Sequence, residues 1–265
     1  MTNIIHSIVL GIIQGLTEFL PISSSGHLVL YQRIFGLSEE ALAFIIMMHV
    51  ATLVSVIAVF WKEIWYMISH PFSKITILVI TATIPVAIIG FIFRDFFEYI
   101  FSSGNYLGVA FIFTGILLFV ADQPHKQTNY GKDLNSMSYA DAILMGLAQS
   151  AAIIPALSRS GFIIATGLFR GLEKKAAIKF AFLMSIPAII GPAVFDAHNL
   201  TFQAFQNIGV LSLALGMTAA AITGYISIRF MLSFFSRASL RVFSYYVFGL
   251  GSLILVDQFL FKIVF

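Results

Sequence analysis

The chain has 265 residues, of which 59% are apolar and only 10% charged. Soluble domains carry roughly 25% charged residues, and a chain of this size cannot enclose so much apolar surface, which excludes a soluble globule. A net charge of +3, with no Lys/Arg cluster interleaved with aromatics, argues against a nucleic-acid partner, and the absence of cysteine excludes disulfides and thiolate metal sites.

The apolar sequence divides at charges and turn residues. Residues 4–20 run into Pro21 and a serine-rich turn, and a second short apolar stretch, 28–35, follows. A helix needs roughly 20 apolar residues to cross the hydrocarbon core, so two short pieces about a break predict a re-entrant hairpin. Irregular backbone at that depth must be buried in protein or line a wet cavity. Spans are expected next at 41–61, 75–93 and 106–121. A second broken region follows, 139–154 and 162–169 about Pro155, and then spans at 176–195, 208–230 and 242–261. The expected fold is an all-α integral membrane protein, a single domain over residues 1–265, with six transmembrane helices and two re-entrant helical hairpins. The N-terminus lacks a basic region, the first Lys or Arg being Arg33, so no removable leader is expected.

The two broken regions resemble each other. At an offset of 135, Gly11 falls on Gly146, Gln14 on Gln149, Ser23 on Ser158, Ser25 on Ser160 and Gly26 on Gly161, while Pro21 and Pro155 miss by one. Each half reads hairpin, span, span, span, so repeat 1 (about 1–121) and repeat 2 (about 139–265) form an inverted repeat. Broken helices in corresponding places point to a site near the midplane, between the halves. On this topology Lys62, Lys74, Lys126, Lys132, Arg170, Lys174, Lys175, Lys179, Arg229, Arg237 and Arg241 share one side, against Arg33, Arg94 and Lys262 on the other. By the positive-inside rule the first side is cytoplasmic. Both termini and the mouth of the first hairpin then face outward, and the second hairpin enters from the cytoplasm.

Few polar residues are placed where they are costly. Glu18 lies in an apolar helix with Gln14 four residues earlier on the same face, and an intramembrane carboxylate is functional by default. Ser23, Ser24 and Ser25 offer hydroxyls beside Glu18 and His27, either of which can serve as the base a serine nucleophile needs. Arg159 sits in a Ser-Arg-Ser turn, where a guanidinium requires an anionic partner and its planar fork suits phosphate or carboxylate. Together they indicate phosphoryl chemistry on a lipid. His49, within the first span, is able to face the cavity but reads first as a hydrogen-bonded core histidine, and Asp141 reads as a helix-start acid. His6, His70, His125 and His198 lie near helix ends. No spacing marks a transition-metal site, whereas Mg²⁺ or Ca²⁺ held by carboxylate, water and phosphate leaves no recognisable spacing.

At these residues the sequence resembles the undecaprenyl-diphosphate phosphatase family, also called the bacitracin-resistance family. Gln14-Gly-Leu-Thr-Glu18-Phe-Leu-Pro-Ile-Ser-Ser-Ser-Gly-His27 is similar to the first signature, [E/Q]xxxE followed by P-x-S-S-x-G-H. Ile154-Pro-Ala-Leu-Ser-Arg-Ser-Gly161 is similar to the second, P-G-x-S-R-S-x-x-T, with Ala156 in place of the Gly and Ile163 in place of the Thr. Gln14 stands where many members have a second Glu. The resemblance implies release of the terminal phosphate from a C55 polyprenyl diphosphate in the bacterial cytoplasmic membrane, at an outward-facing site that uses a divalent cation, Mg²⁺ or Ca²⁺. It implies catalytic roles for Glu18, Ser24, His27 and Arg159. Substrate contacts fall to Gln14, Ser23, Ser25, Gly26, Ser158 and Ser160, and metal contacts to Glu18 and Gln14.

Of two alternatives, one falls on sequence and one stays open. Ser25-Gly-His27 and Ser158-Arg159 superficially fit another lipid phosphatase superfamily, but the position where its second His is required is Ala165. A polyprenyl-phosphate flippase or transporter also suits an inverted repeat with a midplane site. The oligomeric state, a homo-oligomer included, is not legible.

Overall fold

The computed structural model describes residues 4–36, 42–93, 96–97, 106–122, 131–195, 209–236 and 238–265. Arg94, Lys126 and Arg237 of the charge pattern, and positions 41 and 208 at two expected span boundaries, lie outside them. The described residues form helices joined by turns and short loops, with one isolated bridge between Lys132 and Leu172.

Both broken regions fold as helix–turn–helix pairs. In the first, α1 (Ile4–Phe19) and α2 (Ser24–Ile34) flank a turn at Leu20–Ser23; in the second, α7 (Tyr139–Ala151) and α8 (Arg159–Phe169) flank residues 152–158. Between them come α3 (Leu42–Val59), α4 (Trp61–Ser69), α5 (Lys74–Ile92) and α6 (Leu107–Ala121). After them come α9 (Lys174–Phe195), α10 (Val210–Phe230) and α11 (Arg241–Val256). The last two each run on into a π-helical turn, Met231–Phe235 and Asp257–Phe261.

Among the described residues four helices are long and apolar enough to cross a bilayer: Lys74–Ile92, Lys174–Phe195, Val210–Phe235 and Arg241–Phe261. The expected span at 41–61 is instead an 18-residue helix that bends by 84° at Phe60 into α4, and the bent pair counts as a fifth. The expected span at 106–121 appears as a 15-residue helix. At 1.5 Å per residue it extends about 22 Å, less than the roughly 30 Å of a hydrocarbon core.

Packing follows from where glycine falls. The buried face of α1 carries Ser7, Leu10, Gly11, Gln14, Gly15, Thr17 and Glu18, at three- and four-residue spacing. It lies against α10 so closely that a Cβ on Gly11 would come within 2.2 Å of the Gly216 carbonyl oxygen. In the second pair a Cβ on Gly146 would come within 2.2 Å of the Ala82 carbonyl oxygen on α5. Small residues let helix backbones meet in this way where lipid supplies no hydrophobic drive. Phe19, Phe111, Phe180 and Phe182 are fully buried and fill the centre, with Phe19 edge-on to Phe182.

On the lysine-rich end, Asp122 at the end of α6 accepts hydrogen bonds from Lys174 Nζ and Ser239 Oγ, tying three segments together. Asp141 closes a capping box with Ser138 and is paired by Lys132 and Arg170. That is the helix-start role its position predicts.

Candidate active site

Two turns built alike meet in the interior. Ser23 caps α2 by accepting the Gly26 N–H at 3.2 Å, and Ser158 caps α8 by accepting the Gly161 N–H at 3.1 Å. Each turn holds one non-glycine residue in the left-handed region, Ser23 at φ 69° and Ala156 at φ 67°. Such conformations cost energy and collect at functional sites. The turns interlock: the Ala156 N–H donates to Ser25 Oγ at 3.3 Å, and Ser160 Oγ donates to the Leu20 carbonyl at 3.1 Å. Gly26 lies against Ala156, where an added Cβ would sit 3.0 Å from its Cα.

This contact sets Glu18, on the last turn of α1, in the middle of a polar group. Its Oε2 accepts Ser24 Oγ at 2.6 Å and Gln14 Nε2 at 2.9 Å, and His49 Nε2 stands 3.6 Å away. Its Oε1 lies 3.7 Å from Arg159 Nη1. That ion pair is too long for a hydrogen bond, and Arg159 Nη1 is buried without an acceptor. Unsatisfied buried donors are rare and call for a partner. A small polar pocket opens here, lined by Thr17, Glu18, Ser23, Ser24, Ser25, His49, Ala152, Leu157, Ser158 and Arg159. It sets a hydroxyl hydrogen-bonded to a carboxylate near a guanidinium, groups able to serve phosphoryl chemistry.

The structure thus brings together Glu18, Ser24, Arg159, Ser23, Ser25 and Ser158. Gln14 supports Glu18 from behind, fully buried, while Gly26 and Ser160 serve the contact between the turns. His27 points elsewhere. Its Nδ1 donates to the Ser23 carbonyl at 2.6 Å, and its Nε2 accepts the Tyr246 hydroxyl at 2.8 Å, with the two rings stacked. His49 is hydrogen-bonded, as its core reading expects, and also lines the pocket, the second of its two readings. Its Nδ1 donates to the Ile45 carbonyl one turn back, which directs Nε2 at Glu18. Its position in an apolar span was the available signal; which helix would face it was not. Tyr246, from the far end of the chain, had no signal at all.

Among the described residues no three His, Cys, Asp or Glu side chains converge on a metal position. A hard cation asks less of the protein, because water and phosphate oxygens complete its shell. Glu18 and the serines of the two turns supply oxygen donors, and Gln14 Oε1 is buried with no hydrogen-bond partner, on an amide whose Nε2 donates to Glu18. An oxygen-rich set of this kind suits Mg²⁺ or Ca²⁺.

Comparison with known proteins gives matches over nearly the whole chain. Residues 7–253 match the family model described as Bacitracin resistance protein BacA. The undecaprenyl-diphosphatase of Carboxydothermus hydrogenoformans is 45% identical over 258 residues, covering 97% of this chain and 98% of that protein. Undecaprenyl-diphosphatase 4 of Bacillus thuringiensis subsp. konkukian is 45% identical over 257 residues, with 97% and 98% covered. The undecaprenyl-diphosphatase of Halothermothrix orenii is 38% identical over 256 residues, with 96% and 98% covered.

Proposed function

This chain belongs to the Bacitracin resistance protein BacA family, and on that premise we propose that it hydrolyses undecaprenyl diphosphate to undecaprenyl phosphate and inorganic phosphate. It is a membrane phosphatase of polyprenyl diphosphates. The observation that carries the reading is the 2.6 Å hydrogen bond from Ser24 Oγ to Glu18, opposite an Arg159 donor that lacks an acceptor.

In the proposed reaction the diphosphate lies against Arg159 and the N-terminus of α8, where cation and backbone N–H groups attract phosphate oxygens. Ser24 Oγ attacks the terminal phosphorus while Glu18 takes its proton. The Oγ–P bond forms, the bond to the bridging oxygen breaks, and undecaprenyl phosphate leaves with the proton that Glu18 returns. Water then attacks the phosphoserine; Glu18 removes a proton from the water, Oγ regains one, and phosphate departs. His49 Nε2, beside the same carboxylate oxygen, is placed to accept a hydrogen bond from Glu18 in each step while the carboxyl carries the proton. A divalent cation, held by Glu18 and Gln14 Oε1, would neutralise charge on the diphosphate oxygens when bound.

The same reading takes the fold as an inverted repeat of six crossings and two re-entrant hairpins in the bacterial cytoplasmic membrane. The paired packing of Gly11 on Gly216 and Gly146 on Ala82 supports it, as do the matching caps at Ser23 and Ser158. The Lys/Arg asymmetry supports an outward-facing mouth for the first hairpin and both termini outside. The test is phosphate release by purified protein from a prenyl diphosphate, with and without EDTA. Unchanged release by Glu18→Gln and Arg159→Ala variants would sink the phosphatase assignment.

A further inference from the structure

The helix α4, Trp61–Ser69, plays no part in the site, and its surface has a pattern of its own. It leaves α3 through an 84° bend at Phe60 and ends shortly before α5 begins at Lys74. Its nine residues extend about 13 Å, too short to cross. It joins two successive apolar helices at one end of the molecule, and that end is rich in lysine. There Lys179 on α9 pairs with Glu63 at 2.7 Å, and Lys74 Nζ donates to the Asn135 carbonyl.

At 100° per residue the helix has three sides. Ile64 and Met67 pack onto the protein core. Lys62, Glu63, Tyr66, Ser69 and His70 form a polar side. The third side carries Trp61 and Ile68 one turn either way of Trp65; these are 58%, 67% and 60% exposed, and the indoles stack on each other. Phe72, just beyond the helix, is 89% exposed. An apolar exposed side next to a basic polar side, on a helix set across the direction of its neighbouring span, matches the headgroup layer of a bilayer. Indole rings sit there with one edge in hydrocarbon and the N–H in the wet zone, and lysines meet anionic lipid.

We propose that Trp61–Ser69 is an in-plane anchor that seats Trp61 and Trp65 at headgroup level on the lysine-rich side of the membrane. The occupant of its exposed face is the lipid headgroup–acyl boundary, with Lys62 toward anionic headgroups. Such helices bury their apolar side roughly 5–10 Å below the headgroups.

The chain's two tryptophans are both on this helix, so the intrinsic tryptophan fluorescence of the unmodified full chain reports on it alone. The protein is reconstituted into vesicles of mixed zwitterionic and anionic lipid carrying bromines either near the headgroup end or near the methyl end of the acyl chains. Quenching about twofold stronger from the shallow bromines than from the deep ones is expected at that depth. Aqueous iodide should quench weakly. Stronger quenching from deep bromines would mean that the helix enters the membrane interior. Strong iodide quenching without bromine quenching would mean that it stands in water, and shielding from all three would mean that protein covers it. Each of these three results overturns the proposal. A Trp65→Phe variant then assigns the signal to Trp61.

Discussion

Ser24 Oγ donates to Glu18 Oε2 across the break between α1 and α2, at 2.6 Å. The bond exists because α1 ends at Phe19 and Pro21 turns the chain back, so that the first residue of α2 faces the last turn of α1. The same carboxylate oxygen also takes Gln14 Nε2, which orients it toward the hydroxyl. In the proposed reaction a serine held this way loses its proton to Glu18 as it attacks.

Removing either member of that pair should abolish most turnover without unfolding the protein. Glu18→Gln keeps the shape and removes the base, and a loss of about 10²–10⁴-fold in phosphate release is expected. Ser24→Ala should fall as far. Rapid acid quench of the wild type during turnover should trap phosphate on Ser24, identified by mass spectrometry. Full turnover by Ser24→Ala would exclude the nucleophile role.

Arg159→Lys separates charge from geometry. The lysine keeps the positive charge but loses the planar fork. Stabilisation of charge developing in the transition state should drop by about 10²–10³-fold in kcat. The effect on KM should be smaller, because a cation still meets the diphosphate. A Lys variant equal to wild type in kcat would mean that only net charge matters.

The two histidines near the first turn should behave differently. His49→Gln keeps a polar side chain but removes the imidazole 3.6 Å from Glu18, so kcat should fall with little change in Tm. Tyr246→Phe removes the hydroxyl on His27 Nε2. Its expected cost is that of one hydrogen bond, about 0.5–1.5 kcal/mol in stability, with the pH profile unmoved. Steady-state kinetics across pH and thermal unfolding in detergent distinguish the pair.

Ala156 holds φ at 67°, in the left-handed region that favours glycine. An L-residue there is strained by roughly 1–2 kcal/mol, while glycine gives back part of that through its freer unfolded chain. Ala156→Gly should therefore be more stable by about 0.5–1 kcal/mol, read as a rise in Tm. A lower Tm would mean that the Ala156 methyl group contributes more by packing on Gly26 than its backbone loses to strain.

Asp122 and Lys174 form a buried pair at the lysine-rich end, 2.8 Å apart. Burial pushes the Asp122 carboxyl up, but hydrogen bonds from Lys174 and Ser239, the lysine's charge and the Leu240 N–H outweigh it and hold it below its ordinary value. A carboxylate with a depressed folded pKa contributes stability in full above its unfolded pKa, and that contribution is lost as pH falls through the folded value. Asp122→Ala leaves the lysine buried and unpaired and should cost about 3–5 kcal/mol at neutral pH. The difference from wild type should shrink in acid, which thermal unfolding at a series of pH values would show.

The sequence by itself determined the solvent and the punctuation. With 59% apolar residues the chain belongs in lipid, and a proline followed by serines must break a helix in the same two places in any packing, because proline lacks an N–H and serine caps. Glu18, Ser24 and Arg159 were also legible, since charge and hydroxyls beside broken apolar helices are costly unless used. What neighbours these groups meet was decided only by the tertiary structure. Helical spacing fixes which side chains share a face, but not which helix lies opposite. So it is the packing of α3 on α1 that decides between the two readings of His49 and faces it to Glu18, while His27, four residues from Ser23, is drawn away to Tyr246 at the other end of the chain. The 84° bend at Phe60 escaped for a related reason. Residues 41–61 are apolar enough to continue straight, and it is packing of Ile64 and Met67 on the core, with Lys179 on Glu63, that turns the next helix across the end of the molecule.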